Sequence, residues 1–147
     1  MNVMAKAHKI TRETVNASPV KLSYRSLFVA ALKDCHKMNK QEMLKAQTIA
    51  QFEQRIEELK IILNGPDALK YMVVVGDEHP MPVNFESVKL WSNIETATKW
   101  NSRQFAEANA AKVVNGNNQV GKAVRVDHHI EWDMQNLSKL INDLNTL

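Results

Sequence analysis

Cysteine occurs once, at Cys35, which excludes an intramolecular disulfide framework and fits a reducing, cytoplasmic setting. Four glycines and four prolines among 147 residues exclude a collagen-like or linker-dominated chain. No apolar run approaches the roughly 20 residues that cross a bilayer; the longest are residues 27–32 and 71–75. No apolar segment follows Lys6, His8 and Lys9, so a secretory leader is not expected. The common signatures of nucleotide binding and acyl transfer are missing too. There is no Gly-x-Ser-x-Gly, no Walker A loop and no Gly-x-Gly-x-x-Gly, and a turn accounts for each of Gly65, Gly76, Gly116 and Gly121.

What is present is ordinary in amount. Hydrophobic residues at 44% and charged residues at 24% are those of a globular chain, which excludes wholesale disorder. Charge is uneven in its placement. Nineteen Lys/Arg against sixteen Asp/Glu leave +3 overall. Residues 1–40 hold eight basic side chains (Lys6, Lys9, Arg12, Lys21, Arg25, Lys33, Lys37, Lys40) against Glu13 and Asp34 alone. Such an end is either an anion-binding face or a solvated surface turned towards an acidic segment of the same chain.

Periodicity predicts helices first. Val3, Ala7, Ile10 and Thr14 give a short helix over residues 2–15, interrupted by Asn16-Ala17-Ser18-Pro19. A second helix is expected from about Ser23, with Leu27, Phe28, Ala31, Leu32 and Cys35 as its stripe and Tyr24 one turn earlier. A third is expected over residues 39–63. Its Ile49, Phe52, Ile56, Leu59 and Leu63 are spaced as a coiled-coil seam, broken upstream by Glu42 and Lys45 and stopped by Asn64-Gly65-Pro66. The seam pairs either with the second helix, as an antiparallel hairpin, or with a second copy of the chain. Homodimerisation is the favoured alternative.

After Pro66 the pattern turns to strands. Tyr71–Val75 reads as a strand covered on both faces. Residues 81–85 and 88–91 are candidates for one or two more, with Pro82 placing its strand at an edge. Ser92 and Glu95 have capping-box spacing, which predicts a helix over about 93–114. Residues 122–126 alternate like a half-buried strand, and Met134, Leu137, Leu140, Ile141 and Leu144 mark a terminal helix capped by Asp133. The expected fold is α+β: an N-terminal helical hairpin with a long amphipathic helix, then a small, mostly antiparallel sheet with two helices. The segments are 1–64 and 67–147, within one compact domain.

Candidate chemistry is sparse. Asp127-His128-His129-Ile130-Glu131 has metal-ligand residue types, but adjacent histidines diverge on a strand or a helix. His128 with Glu131, or Asp77 with His79, supplies two ligands and no third, so the segment reads as a polar strand-to-helix junction. Cys35 lies on an apolar stripe, where a free thiol behaves as a small core residue, and neighbouring His36 faces elsewhere. No catalytic residue, metal or cofactor is expected, and the chain is not expected to be an enzyme. For nucleic acid, Lys6, Lys9, Arg12, Arg25, Lys33 and Lys37 are the candidate phosphate contacts. Trp91 is expected in the core. Trp100 falls off the stripe of its helix and joins Ile49, Phe52, Ile56, Leu59 and Leu63 as a candidate interface residue.

Residues 7–15 (AHKITRETV) and 24–32 (YRSLFVAAL) together resemble the opening of small accessory proteins encoded by phages and other mobile elements. The resemblance covers about a sixth of the chain. It implies a setting, the host cytoplasm, and a mode, the binding or occlusion of a host or element macromolecule. It carries over no functional residue. Together with the missing catalytic motifs it leads to the expectation of a binding protein with a protein partner, and nucleic-acid binding through the basic end as the alternative.

Overall fold

A computed structural model describes residues 2–87 and 91–147. Its elements are α1 (Val3–Ala17), α2 (Tyr24–Leu63), β1 (Tyr71–Val75), β2 (Met81–Pro82), α3 (Arg103–Ala110), β3 (Lys122–Arg125) and α4 (Val126–Thr146). The class is α+β, with N-terminal helices followed by a three-stranded antiparallel sheet. Contacts divide the chain into two compact units, Met1–Gln51 and Phe52–Leu147. Asn64-Gly65-Pro66 ends α2 as expected, but the division between units falls earlier, inside that helix.

In the first unit, the Asn2 side-chain oxygen accepts from the Met4 N–H at 2.9 Å and caps α1. Ser18 is extended, as a residue before proline must be, and closes the helix. The buried stripe is rotated from the expected one. Ala7 and Thr11 are buried, while Ile10 is exposed. Thr11 can be buried because its hydroxyl donates to the Ala7 carbonyl at 2.8 Å, leaving no polar atom unpaired. These residues belong with Ala31 and Cys35, and Val3, Phe28 and Leu32 pack against that cluster. Small side chains let two helices approach closely, but they remove little apolar surface from water.

The expected second and third helices are one. From Tyr24 to Leu63 the helix runs unbroken for 40 residues and contains neither Gly nor Pro. Lys, Met and Gln around residues 37–41 are good helix formers and nothing there stops propagation. An antiparallel pairing between the stripes of residues 27–35 and 49–63 is therefore impossible. The hairpin is made by α1 and α2 instead.

The second unit is built around β1, the middle strand of the order β2-β1-β3. Successive strand residues face opposite sides, and β1 feeds two cores in alternation. Met72 and Val74 join Leu59, Ile94, Ala97, Val126 and Ile130 on one face. Val73 and Val75 join Val83, Ala110 and Val113 on the other. Pro82 sits on an edge strand, paired with Val74, where a missing N–H is tolerated. Of the second candidate strand, residues 88–90 lie outside the described residues. Trp91 forms an isolated bridge with Val83 and is 44% exposed, not part of the core.

The expected helix over residues 93–114 shrinks to α3. Asn93, not Ser92 with Glu95, organises the preceding turn: its carboxamide oxygen accepts from the Thr96 N–H at 3.0 Å and the Thr96 hydroxyl at 2.6 Å. The chain is then drawn onto the sheet. Thr98 N–H donates to the Val83 carbonyl, and Tyr71 and Trp100 exchange two backbone hydrogen bonds of 2.8 Å. A helix through Trp100 would forfeit them. At the far end, Gly121 N–H donates to the Val113 carbonyl, and a Cβ on Gly121 would lie 2.7 Å from the Ala110 carbonyl oxygen. Only glycine fits that approach.

α4 starts directly after β3, with Arg125 rather than Asp133 at its N-cap. The first N–H groups of α4 donate to the loop before β1, Val126 to Lys70 and Asp127 to Ala68. Asp127 in the first turn suits the helix dipole. The neighbouring Arg125 guanidinium holds its carboxyl below the usual carboxylate range.

Candidate functional site

The basic candidates are all in the first unit, on two outward faces. Ala7 and Thr11 mark the inward side of α1, and Lys9 is two residues from each, about 200° around the helix. On α2, Lys33 is likewise two residues from both Ala31 and Cys35, and Lys37 is two residues beyond Cys35. Lys9 with Arg12 and Lys33 with Lys37 therefore point to opposite sides of the hairpin rather than into one concave surface. Lys6 is half-buried and Arg25 exposed. Beside them the structure assembles a ring stack that sequence spacing did not reveal. His8 lies 4.3 Å from Phe28 between ring centroids, Tyr24 is nearly parallel to Phe28, and the Tyr24 hydroxyl is 2.9 Å from His8 Nδ1.

The candidate interface residues divide as well. Leu59 is fully buried in the second unit, and Leu63 packs on the same cluster with Met134 and Leu137 of α4. These two face the chain's own core. Ile49, Phe52 and Ile56 are half-buried. Trp100 is half-buried too and meets Phe85 edge-on at 5.4 Å against the Val73/Val83 cluster. By contrast, residues 36–44 of α2 are exposed on every side of the helix, with Met38 at 46%, Met43 at 58% and Leu44 at 53%.

The Asp127-to-Glu131 segment lies in the first turns of α4, so its two histidines part. His128 is exposed, whereas His129 is buried, stacked on Trp132 and 3.8 Å from Asp133 one turn on. Burial lowers the His129 pKa below its usual 6.5, and burial likewise raises that of Asp133. Both shifts favour a neutral pair. Near Asp133, Arg55 binds Glu95 through both guanidinium nitrogens and holds the Glu95 carboxyl below its ordinary range. Among the described residues, no group of three or more His, Cys, Asp or Glu is placed to hold a metal ion, and no helix is long and apolar enough to cross a membrane.

One concave site in the second unit combines apolar and polar walls. It encloses about 560 Å³ at the end of the sheet, between the turn after β1 and the turn before β3. Antiparallel pairing of Val74 with Lys122 is what brings these turns together. Asp77 ties them, accepting from Gln119 Nε2 at 2.7 Å and Lys122 Nζ at 3.0 Å, and the Lys122 ammonium holds its pKa low. Asn115 fixes its own turn by accepting from the Asn117 and Gln119 N–H groups and donating to the Gln119 side chain at 2.7 Å. Gly76, at φ 112°, makes the sharp exit from β1. Trp91 and Met81 supply the apolar wall. Comparison with protein-family models, curated proteins and solved structures finds no match for this chain.

Proposed function

We propose that the protein is a non-catalytic binding protein that engages another protein through the middle of α2. The observation that carries this reading is the bare stretch over residues 36–44, about two and a half turns of helix whose Met38, Met43 and Leu44 face solvent. Helices gain most of their stability from a packed face, and a partner surface would supply the one that residues 36–44 lack. Methionine adapts its shape to a partner surface, which suits the role. The unit carrying the stretch has nine Lys/Arg against three Asp/Glu over residues 1–51, so the complementary partner surface is acidic. The resemblance of the opening segments to phage and mobile-element accessory proteins supports the same mode, binding or occlusion of a host or element protein.

Affinity capture from a bacterial host lysate, with and without nuclease, tests the reading. Met43→Asp combined with Leu44→Asp is expected to abolish nuclease-resistant capture while leaving the melting of the second unit unchanged. Capture that survives the double substitution overturns the assignment to α2. A second copy of the chain is the other occupant of the same stretch, and a concentration-dependent rise in light-scattering mass above 16.7 kDa identifies it. The nucleic-acid alternative rests on Lys6, Lys9, Arg12, Arg25, Lys33 and Lys37. It requires binding at about 50 mM salt that weakens as salt rises, and the two opposed basic faces favour it less than they favour a protein partner.

A further inference from the structure

We infer that the cavity at the end of the sheet binds a neutral sugar ring, with Trp91 as its stacking platform. Its volume, about 560 Å³, lies within the range of small-ligand sites, roughly 300–1,000 Å³. Two features of its lining select the ligand class. The first is the exposed indole. Trp91 is 44% and Met81 47% accessible, both lining the cavity, where apolar surface is left in water until something flat covers it.

The second feature is the charge and hydrogen-bonding character of the remaining walls. Among the described residues no lysine or arginine lines the cavity, and the nearby Lys122 ammonium is engaged by Asp77. Glu78 adds a further carboxylate. Phosphates, nucleotides and carboxylates therefore meet carboxylate repulsion with no lysine or arginine among the described residues to offset it. Among the described residues, the side chains of Glu78, His79 and Asn117 make no hydrogen bond or ion pair within the chain, while Asp77, Asn115 and Gln119 are locked to one another or to Lys122. The site is thus a fixed frame carrying three uncommitted polar groups, a carboxylate, an imidazole and a carboxamide. A pyranose has the matching halves. Its C–H face covers an indole, and its ring of hydroxyls both donates and accepts, which a carboxylate and an amide can each satisfy.

Calorimetric titration of the full chain with maltohexaose, cellohexaose and N-acetylchitohexaose, one at a time, tests this. At least one is expected to bind saturably. Trp91→Ala is then expected to weaken it by about tenfold or more, given the worth of an aromatic contact together with its buried area. Trp91→Phe retains part of the affinity, and Asn117→Ala weakens it less than Trp91→Ala does. Both positions are exposed, and circular dichroism confirms that each variant is folded. Absence of saturable binding by all three sugars overturns the inference, as does binding indifferent to Trp91→Ala. Preference for tetramethylammonium or for glucose 6-phosphate over the neutral sugars also overturns it, since each reassigns the site to another ligand class.

Discussion

The two units bury different kinds of side chain. The helical arm closes over Ala7, Thr11, Ala31 and Cys35, whereas the sheet unit closes over Leu59, Met72, Val73, Val83, Ile94, Val126 and Ile130. The arm carries nine Lys/Arg against three Asp/Glu, and the sheet unit ten against thirteen. Stability follows the amount of large apolar surface removed from water, so the sheet unit is the robust part and the arm the labile one. Regions that must rearrange to bind come from the labile end of a structure, in keeping with the proposed docking role of α2.

The largest effect that sharpens this contrast is expected at Leu59. Leu59→Ala leaves a cavity in a filled core and costs about 2–5 kcal/mol of the sheet unit's stability. The same change at half-buried Leu32 in the arm leaves the cavity open to solvent and costs less. Urea denaturation of the two variants, followed by circular dichroism, gives the comparison. Equal losses break it, because they place equally dense cores in both units.

A smaller effect is expected at Gly121. Gly121→Ala sets a methyl group against the Ala110 carbonyl, 2.7 Å away, and overpacking of this kind costs about 1–3 kcal/mol. Hydrogen exchange should register the loss in β3 and α3 while the arm's amides keep their rates. Faster exchange throughout residues 3–35 would show that the effect is not confined to the second unit.

The smallest effect concerns pH. The folded state holds His129 with its pKa below 6.5, so below that value the unfolded chain takes up a proton that the native chain resists. Its contribution is complete above about pH 6.5 and is lost as pH falls from there towards the folded pKa. Asp133 acts with the opposite sign. Its raised pKa withdraws stability as pH climbs from the ordinary carboxylate value towards the folded one. Chemical denaturation at pH 7.5 and 5.5 isolates the histidine when wild type is set against His129→Gln: on going to pH 5.5 the wild-type midpoint should fall relative to that of the variant. A pH dependence that His129→Gln leaves unchanged shows that His129 does not resist protonation in place.

Where sequence reasoning succeeded, the signal was local and physical. Asn2 and Pro19 bounded α1, Pro82 marked an edge strand, and the apolar run of β1 announced a strand buried on both faces. Where it failed, long-range hydrogen bonds decided the outcome. Ser92 and Glu95 look like a capping box, but Trp100 is claimed by Tyr71 and Thr98 by Val83, which no local window contains. α4 starts early because Lys70 and Ala68 satisfy its first N–H groups. The continuity of α2 is legible in the sequence: Tyr24, Phe28, Ala31, Cys35 and Met38 fall in the same heptad frame as Ile49, Phe52, Ile56, Leu59 and Leu63. The sugar-site residues were not legible as a group. Residues 76–80 and 115–119 are turns in sequence, and only the pairing of Val74 with Lys122 makes them neighbours.

The chain has one thiol, and it lies under the arm's thin seam. Cys35 is 2% exposed in the cluster with Ala7 and Ala31, so a thiol reagent reaches it only in molecules whose two helices have parted. Its rate of modification is then a gauge of how often the hairpin opens, reported by the wild-type sequence with no label engineered in. Two copies cannot cross-link through it without first opening in the same way, so oxidative dimers formed on storage would be records of that opening rather than of the surface the protein presents when closed.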